Sequence, residues 1–206
     1  MKALCLIDMQ RDFFPGGALP VPQGDKVLPA INELLAMDWD VIVASKDWHP
    51  PNHKSFASIH EKNIGDVVTL RGRDQILWPD HCVQESGGAE FMPGFDTSRI
   101  DKVFLKGTDP EIDSYSAFFD DAHLRTTGLK EFLQESQITD LYCVGLATDY
   151  CVLATALDAV SCGFKTFVVL EGVKGVDLHD SDSEKALEEM KKNGVILLSI
   201  NDLENG

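Results

Sequence analysis

The chain has 206 residues, with 34 acidic against 18 basic side chains and a formal net charge of −16. That charge argues against nucleic acid and anionic membrane surfaces as partners and leaves a neutral small molecule open. The length is enough for one domain with a substantial core, and an apolar share of 44% is that of an ordinary globular protein.

The first apolar run, 3–8, lies in Met1-Lys-Ala-Leu-Cys-Leu-Ile-Asp8. It is too short for a signal peptide, and Asp8 stops it. A helical pattern at about 24–37 leads to a second run at 41–44. Residues 45–65, rich in Pro, His, Trp and Asp, read as a long loop. A run at 66–70 follows, and then a second long loop at 71–100. Long loops inside a compact domain are usually functional. Further runs at 102–106, 140–145, 166–170 and 195–200 alternate with helical patterns at about 128–136, 149–162 and 182–192. In the 149–162 pattern, Val152, Leu153, Ala156, Leu157 and Val160 form one apolar stripe. Asp180 to Ser183 offers N-cap candidates for the last helix. Several runs are continuously apolar, as expected for strands buried on both faces. The alternation predicts an α/β fold, an open, mostly parallel sheet flanked by helices. No repeat or linker divides the chain, so 1–206 reads as one domain. No segment approaches the roughly 18 uninterrupted apolar residues of a membrane span. Five cysteines, without a Cys-x-x-Cys spacing or an export signal, suit a reducing, cytoplasmic setting.

In such a sheet, ligands bind beyond the carboxyl ends of the strands. Asp8, Lys46-Asp47, Lys106 and Cys151 all follow strand-like runs. If those strands are parallel, an acid, a base and a thiol share one rim, as an activated nucleophile requires. Cys151 opens a helix, where the helix dipole favours the thiolate. Each residue also has an ordinary reading: Asp8 as a cap, Lys106 as a solvated strand end, Cys151 as an inert core thiol. Asp47-Trp-His49 places a carboxylate and an imidazole two apart, able to share a cation. His81 is a third ligand candidate, and His53 a fourth ligand or a supporting residue. This N/O donor set suits zinc, manganese or iron(II). The competing reading has these histidines capping loops and stacking on Trp48 and Trp78. Phe13, Trp78, Tyr115 and Phe118 are candidate walls for a flat heteroaromatic ring. His60, His123 and His179 are expected to face solvent.

These segments resemble the nicotinamidase/pyrazinamidase family of the isochorismatase-like cysteine hydrolases. The resemblance runs through Leu6-Ile-Asp-Met-Gln-Arg-Asp-Phe-Phe14 with Gly16-Gly-Ala-Leu19, and through Asp47-Trp-His-Pro-Pro-Asn-His-Lys-Ser-Phe56. It continues in Trp78-Pro-Asp-His-Cys-Val83, Lys106-Gly107, Asp113-Ser-Tyr-Ser-Ala-Phe118 and Gly145-Leu-Ala-Thr-Asp-Tyr-Cys151. It implies a Rossmann-like three-layer αβα fold, a catalytic triad of Asp8, Lys106 and Cys151, and one divalent metal, zinc first, on Asp47, His49 and His81. It further implies a cis peptide at Leu146–Ala147 and an oxyanion hole from the N–H groups of Ala147 and Cys151. The implied activity is hydrolysis of nicotinamide to nicotinate and ammonia through a Cys151 thioester, in NAD salvage, with pyrazinamide as a further substrate. Members of this superfamily are variously monomers and oligomers, so a homo-oligomer stays open. Rival readings are a carbamoyl or ureido amidase of the same superfamily, a metallohydrolase with a structural Cys151, and a non-catalytic sensor.

Overall fold

The computed structural model describes residues 1–204. Its main sheet has six strands: β1 (Lys2–Ile7), β2 (Val41–Asp47), β5 (Lys102–Lys106), β6 (Asp140–Leu146), β7 (Lys165–Lys174) and β8 (Ile196–Leu198). They lie in the order β5-β2-β1-β6-β7-β8, and every neighbouring pair is parallel. Alternation along β1 explains the layering. Ala3, Cys5 and Ile7 enter one core, while Leu4 and Leu6 enter the other. The first core is covered by α2 (Leu129–Glu135), α3 (Leu153–Ser161) and α4 (Asp182–Lys192), through residues such as Leu133, Ala156 and Met190. The second is covered by α1 (Leu28–Ala36) and by Ile200 of α5 (Ile200–Glu204). The result is an αβα sandwich, and the expected fold class holds. Among the described residues no helix is long and apolar enough to cross a membrane.

Several boundaries differ from the sequence reading. The run at 66–70 does not join the main sheet. As β3 (Val67–Leu70) it pairs antiparallel with β4 (Arg73–Ile76), a strand hidden inside the expected loop at 71–100. The turn residues Arg71 and Gly72 both have positive φ (48° and 80°), the conformation of a tight two-residue hairpin. Val67 is 56% exposed, and such a strand could not be buried on both faces. The 24–37 helix splits into a 3₁₀ turn, Gly24–Val27, and α1. β2 runs on to Asp47, and β8 stops at Leu198 because Ile200 begins α5. No side chain of Asp180 to Ser183 caps α4 from its N-cap position. That position is Ser181, which is left-handed and makes no side-chain cap bond.

The chain order places the crossover between β1 and β6 at the centre of the sheet. β2 and β5 extend one way from it, and β7 and β8 the other. Ligands of open α/β sheets bind at such a switch point, beyond the strand ends. Asp8 leaves β1 there, and residues 147–151 leave β6 beside it.

Candidate active site

Lys106, at the end of β5, is 2% exposed and is the hub of the site. Its Nζ lies 2.9 Å from Asp8 Oδ2 and bonds Asp47 Oδ1. It also donates to the Ser114 carbonyl at 2.8 Å and to Cys151 Sγ at 3.4 Å. The ligand atoms of Asp8, Asp47 and Cys151 all fall within 4.8 Å of one another. Thus the three strand-end residues expected to converge do meet. Asp8 is fully buried and has φ 50°, a backbone state uncommon outside glycine and frequent at functional positions. Ser45 holds it by donating to Oδ1 at 2.6 Å. Gln10 clasps Asp47 through the main chain. Its Nε2 donates to the Asp47 carbonyl, and its Oε1 accepts the Asp47 N–H, both at 2.7 Å. The sequence reading assigned no role to Ser45 or Gln10, although Gln10 lies within a motif segment.

Cys151 is not in the first turn of an α-helix. It lies in a π-helical turn, Thr148–Val152, that precedes α3. Nor does the helix terminus govern its thiol. Burial pushes the thiol well above its ordinary pKa, and the Asp8 and Asp47 carboxylates add to this against the opposing Lys106 charge. The thiol therefore needs a base. Burial also raises the Asp8 carboxyl, partly offset by Lys106. Asp47 behaves oppositely. Burial alone would raise it, but Lys106 and His49 outweigh burial and hold it well below the usual carboxylate range. The peptide Leu146–Ala147 is cis.

Asp47, His49 and His81 bring one ligand atom each within 4.8 Å, and all three are buried. The His49 Nε2 lies 3.6 Å and the His81 Nε2 3.7 Å from Asp47 Oδ2. The far nitrogens are engaged elsewhere: His49 Nδ1 with the Gly107 carbonyl at 2.9 Å, His81 Nδ1 with the Pro79 carbonyl at 2.8 Å. Since a carbonyl only accepts, each Nδ1 carries a proton, and in the neutral ring each Nε2 then presents a lone pair. This is the outer support that metal-binding histidines use. The donor set fits a divalent metal ion. His53 does not join this set and clusters instead with His49 and Asp113. The Ser55 N–H donates to its Nδ1 at 3.2 Å, so the neutral ring carries its proton on Nε2 and offers no lone pair there. Gly107 is the residue that admits His49. It has φ 63°, and a Cβ would collide with the imidazole ring. Gly107→Ala should therefore lower bound metal per chain as strongly as His49→Ala does. Elemental analysis of the purified variants checks this, and a fully loaded Gly107→Ala protein would refute it.

A narrow cavity opens onto Cys151. Phe13, Trp78 and Tyr115 line it as expected, and Ala147 lies in its wall. Trp78 Nε1 donates to Tyr115 Oη at 2.9 Å and fixes both rings. Phe118 does not reach the cavity; it is fully buried in the core, packed near Phe164. Leu19, Asp113, Tyr150 and Val176 also line the cavity. The first three sit in motif segments and could have been suspected, whereas Val176 carries no signal in the sequence. His123 and His179 are exposed as expected, but His60 is half-buried, with Nε2 2.8 Å from the Lys54 carbonyl.

Behind the cavity, burial and the neighbouring Asp113 push the Asp121 carboxyl up to about 7. A carboxyl raised on folding gives its full stability below its unfolded pKa, near 4, and loses it as pH rises through 7. Asp121→Asn keeps an acceptor for the Tyr115 N–H, which Asp121 Oδ1 binds at 2.9 Å. The variant should match the parent near pH 4 and be the more stable one at pH 8. Equal denaturant midpoints at pH 8 would contradict the buried carboxyl.

A profile of the isochorismatase domain family matches residues 2–202. The chain belongs to the isochorismatase family. Within that family it is 44% identical to the nicotinamidase of Escherichia coli K12, over 98% of this chain and 97% of that protein. A solved Acinetobacter baumanii nicotinamidase/pyrazinamidase superposes with TM-score 0.94 at 42% identity, covering 98% of this chain and 97% of the other. The pyrazinamidase of Pyrococcus horikoshii, solved in complex with zinc, superposes with TM-score 0.79 at 39% identity, covering 97% and 99%.

Proposed function

We propose that this member of the isochorismatase family is a nicotinamide amidohydrolase that releases nicotinate and ammonia, accepts pyrazinamide, and serves NAD salvage. The observation that carries the reading is the hub of Lys106. One buried ammonium contacts the nucleophile, its base and a metal-ligand candidate, and the nucleophile and that ligand candidate both line an aromatic-walled cavity. Asp8 takes the Cys151 thiol proton, and Lys106 stabilises the resulting charge. The thiolate attacks the carboxamide carbon, and the N–H groups of Ala147 and Cys151 hold the oxyanion. Losing one such donor costs about 3–4 kcal/mol of transition-state stabilisation. Asp8 then gives its proton to the leaving ammonia. A water that Asp8 deprotonates cleaves the thioester, which frees nicotinate and restores the thiol.

Asp47, His49 and His81 would hold the metal, for which zinc is our first assignment. When bound, it supplies a Lewis-acid contact that orients the pyridine nitrogen. Phe13, Trp78 and Tyr115 are the ring-stacking walls. All five cysteines are free, which suits a reducing cytoplasmic setting. The test is ammonia release from nicotinamide by the purified protein. Turnover should be abolished by thiol alkylation and weakened by chelation. Turnover that survives alkylation would favour attack without Cys151, and no turnover with any divalent metal supplied would refute the substrate.

A further inference from the structure

The nucleophile turn does more than present Cys151. Its Asp149 reaches across to the segment that follows β7. Asp149 Oδ1 accepts the Val176 N–H at 2.9 Å, and Oδ2 accepts the Asp177 N–H at 2.8 Å. Two consecutive N–H groups on one carboxylate form a charge-assisted, two-point clasp. The far side of the segment is anchored separately. The Asp177 carboxylate accepts the Ser183 N–H at 2.7 Å and its Oγ–H at 2.9 Å, tying the segment to the start of α4. Gly175 fits between these anchors because a Cβ would collide with Ser183 Oγ. Among the described residues no other hydrogen bond holds the backbone of Val176 to Leu178. Residues 177–180 are exposed, yet Val176 turns inward and lines the cavity with Tyr150 and Leu19. One turn of chain thus supplies the thiol through Cys151, an aromatic wall through Tyr150, and an aliphatic wall at second hand through Asp149.

We propose that Asp149 is a positioning residue that straps residues 175–177 over the cavity, so that Val176 narrows the cavity to a flat ring and selects planar aromatic amides over bulkier ones. The inference rests on the amidohydrolase reading for its substrate, but the strap itself can be tested without turnover. The first measurement is the alkylation rate of Cys151, followed by peptide mass spectrometry, with iodoacetamide and with the bulkier, non-planar N-tert-butyliodoacetamide. Asp149→Ala and Val176→Ala should each speed the bulky reagent relative to the small one by about tenfold, the scale of one altered pocket wall. The small reagent alone should react as in the parent. With nicotinamide, both variants should raise KM by about tenfold while kcat falls far less, as expected when binding to the ring is lost. Val176→Ala should add little in the Asp149→Ala background, since both act through one contact. Equal acceleration of both reagents, or a loss confined to kcat, would mean that the nucleophile turn itself had moved and would overturn the strap. If Asp149→Ala does not fold, the reagent ratio of Val176→Ala, which removes no hydrogen bond, decides the matter. A parent protein inactive on nicotinamide would refute the substrate reading alone, because the reagent ratio still reports on the wall.

Discussion

Replacing Cys151 by alanine is expected to abolish ammonia release while leaving metal content unchanged. Cys151 Sγ makes the first attack on the amide, and residues that act as a unit in catalysis lose most of their effect when one member is removed. A fall of at least roughly 10⁴-fold in kcat is the appropriate scale. The metal set lies on a different part of the chain. Asp47 leaves β2, and His49 and His81 come from the long loops, so deleting one sulfur removes no ligand from it. Steady-state ammonia release and elemental analysis on one preparation check both halves. Residual turnover within a hundredfold of the parent would remove Cys151 from the mechanism. Metal loss in parallel would mean that the two sites are not separable.

Replacing Lys106 by methionine should be nearly as costly for activity and far more costly for stability. The parent holds two carboxylates, Asp8 and Asp47, against one fully buried ammonium. The ammonium stays charged there. Burial alone would favour its neutral form, but Asp47 and Asp8 outweigh burial and hold its pKa well above the ordinary value. Methionine keeps an unbranched apolar stem of four heavy atoms and removes the charged, donating Nζ. Breaking a buried ion pair from one side costs about 3–5 kcal/mol, because the partner charge is left uncompensated. For a chain of this size that corresponds to a fall in melting temperature on the order of 10 °C. Adding Asp8→Asn removes one of the stranded charges. The double variant should therefore recover part of the lost stability and none of the activity. A Lys106→Met protein that melts with the parent would show that the site is hydrated and that the hub is not an electrostatic keystone.

Much of this molecule can be read along the chain. The apolar runs at 3–8 and 140–145 locate β1 and β6, because a strand buried on both faces must be apolar at nearly every position, and the run at 102–106 locates β5, although Val103 and Leu105 are exposed at that edge of the sheet. Asp8, Lys106 and Cys151 stand out because they interrupt or follow such runs. Asp47, His49 and His81 stand out because few side chains bind metals. Other features resist such reading. Val67–Leu70 has the composition of a core strand, yet it forms a half-exposed hairpin, because pairing partners are chosen across the fold. β4, with Arg73, Asp74 and Gln75 in it, has no apolar run to reveal it.

The sequence by itself determined which residues could do chemistry and the strand ends at which they would lie, since both follow from residue type and local periodicity. Only the tertiary structure decided their state. It kept His53 out of the Asp47, His49 and His81 set, and it turned Val176 into the cavity beside Tyr150. It also raised the Cys151 thiol where a helix terminus alone would have lowered it. Those outcomes depend on distances between segments far apart in the chain and on how much water packing leaves around each charge. Neither quantity is carried by any local stretch of residues.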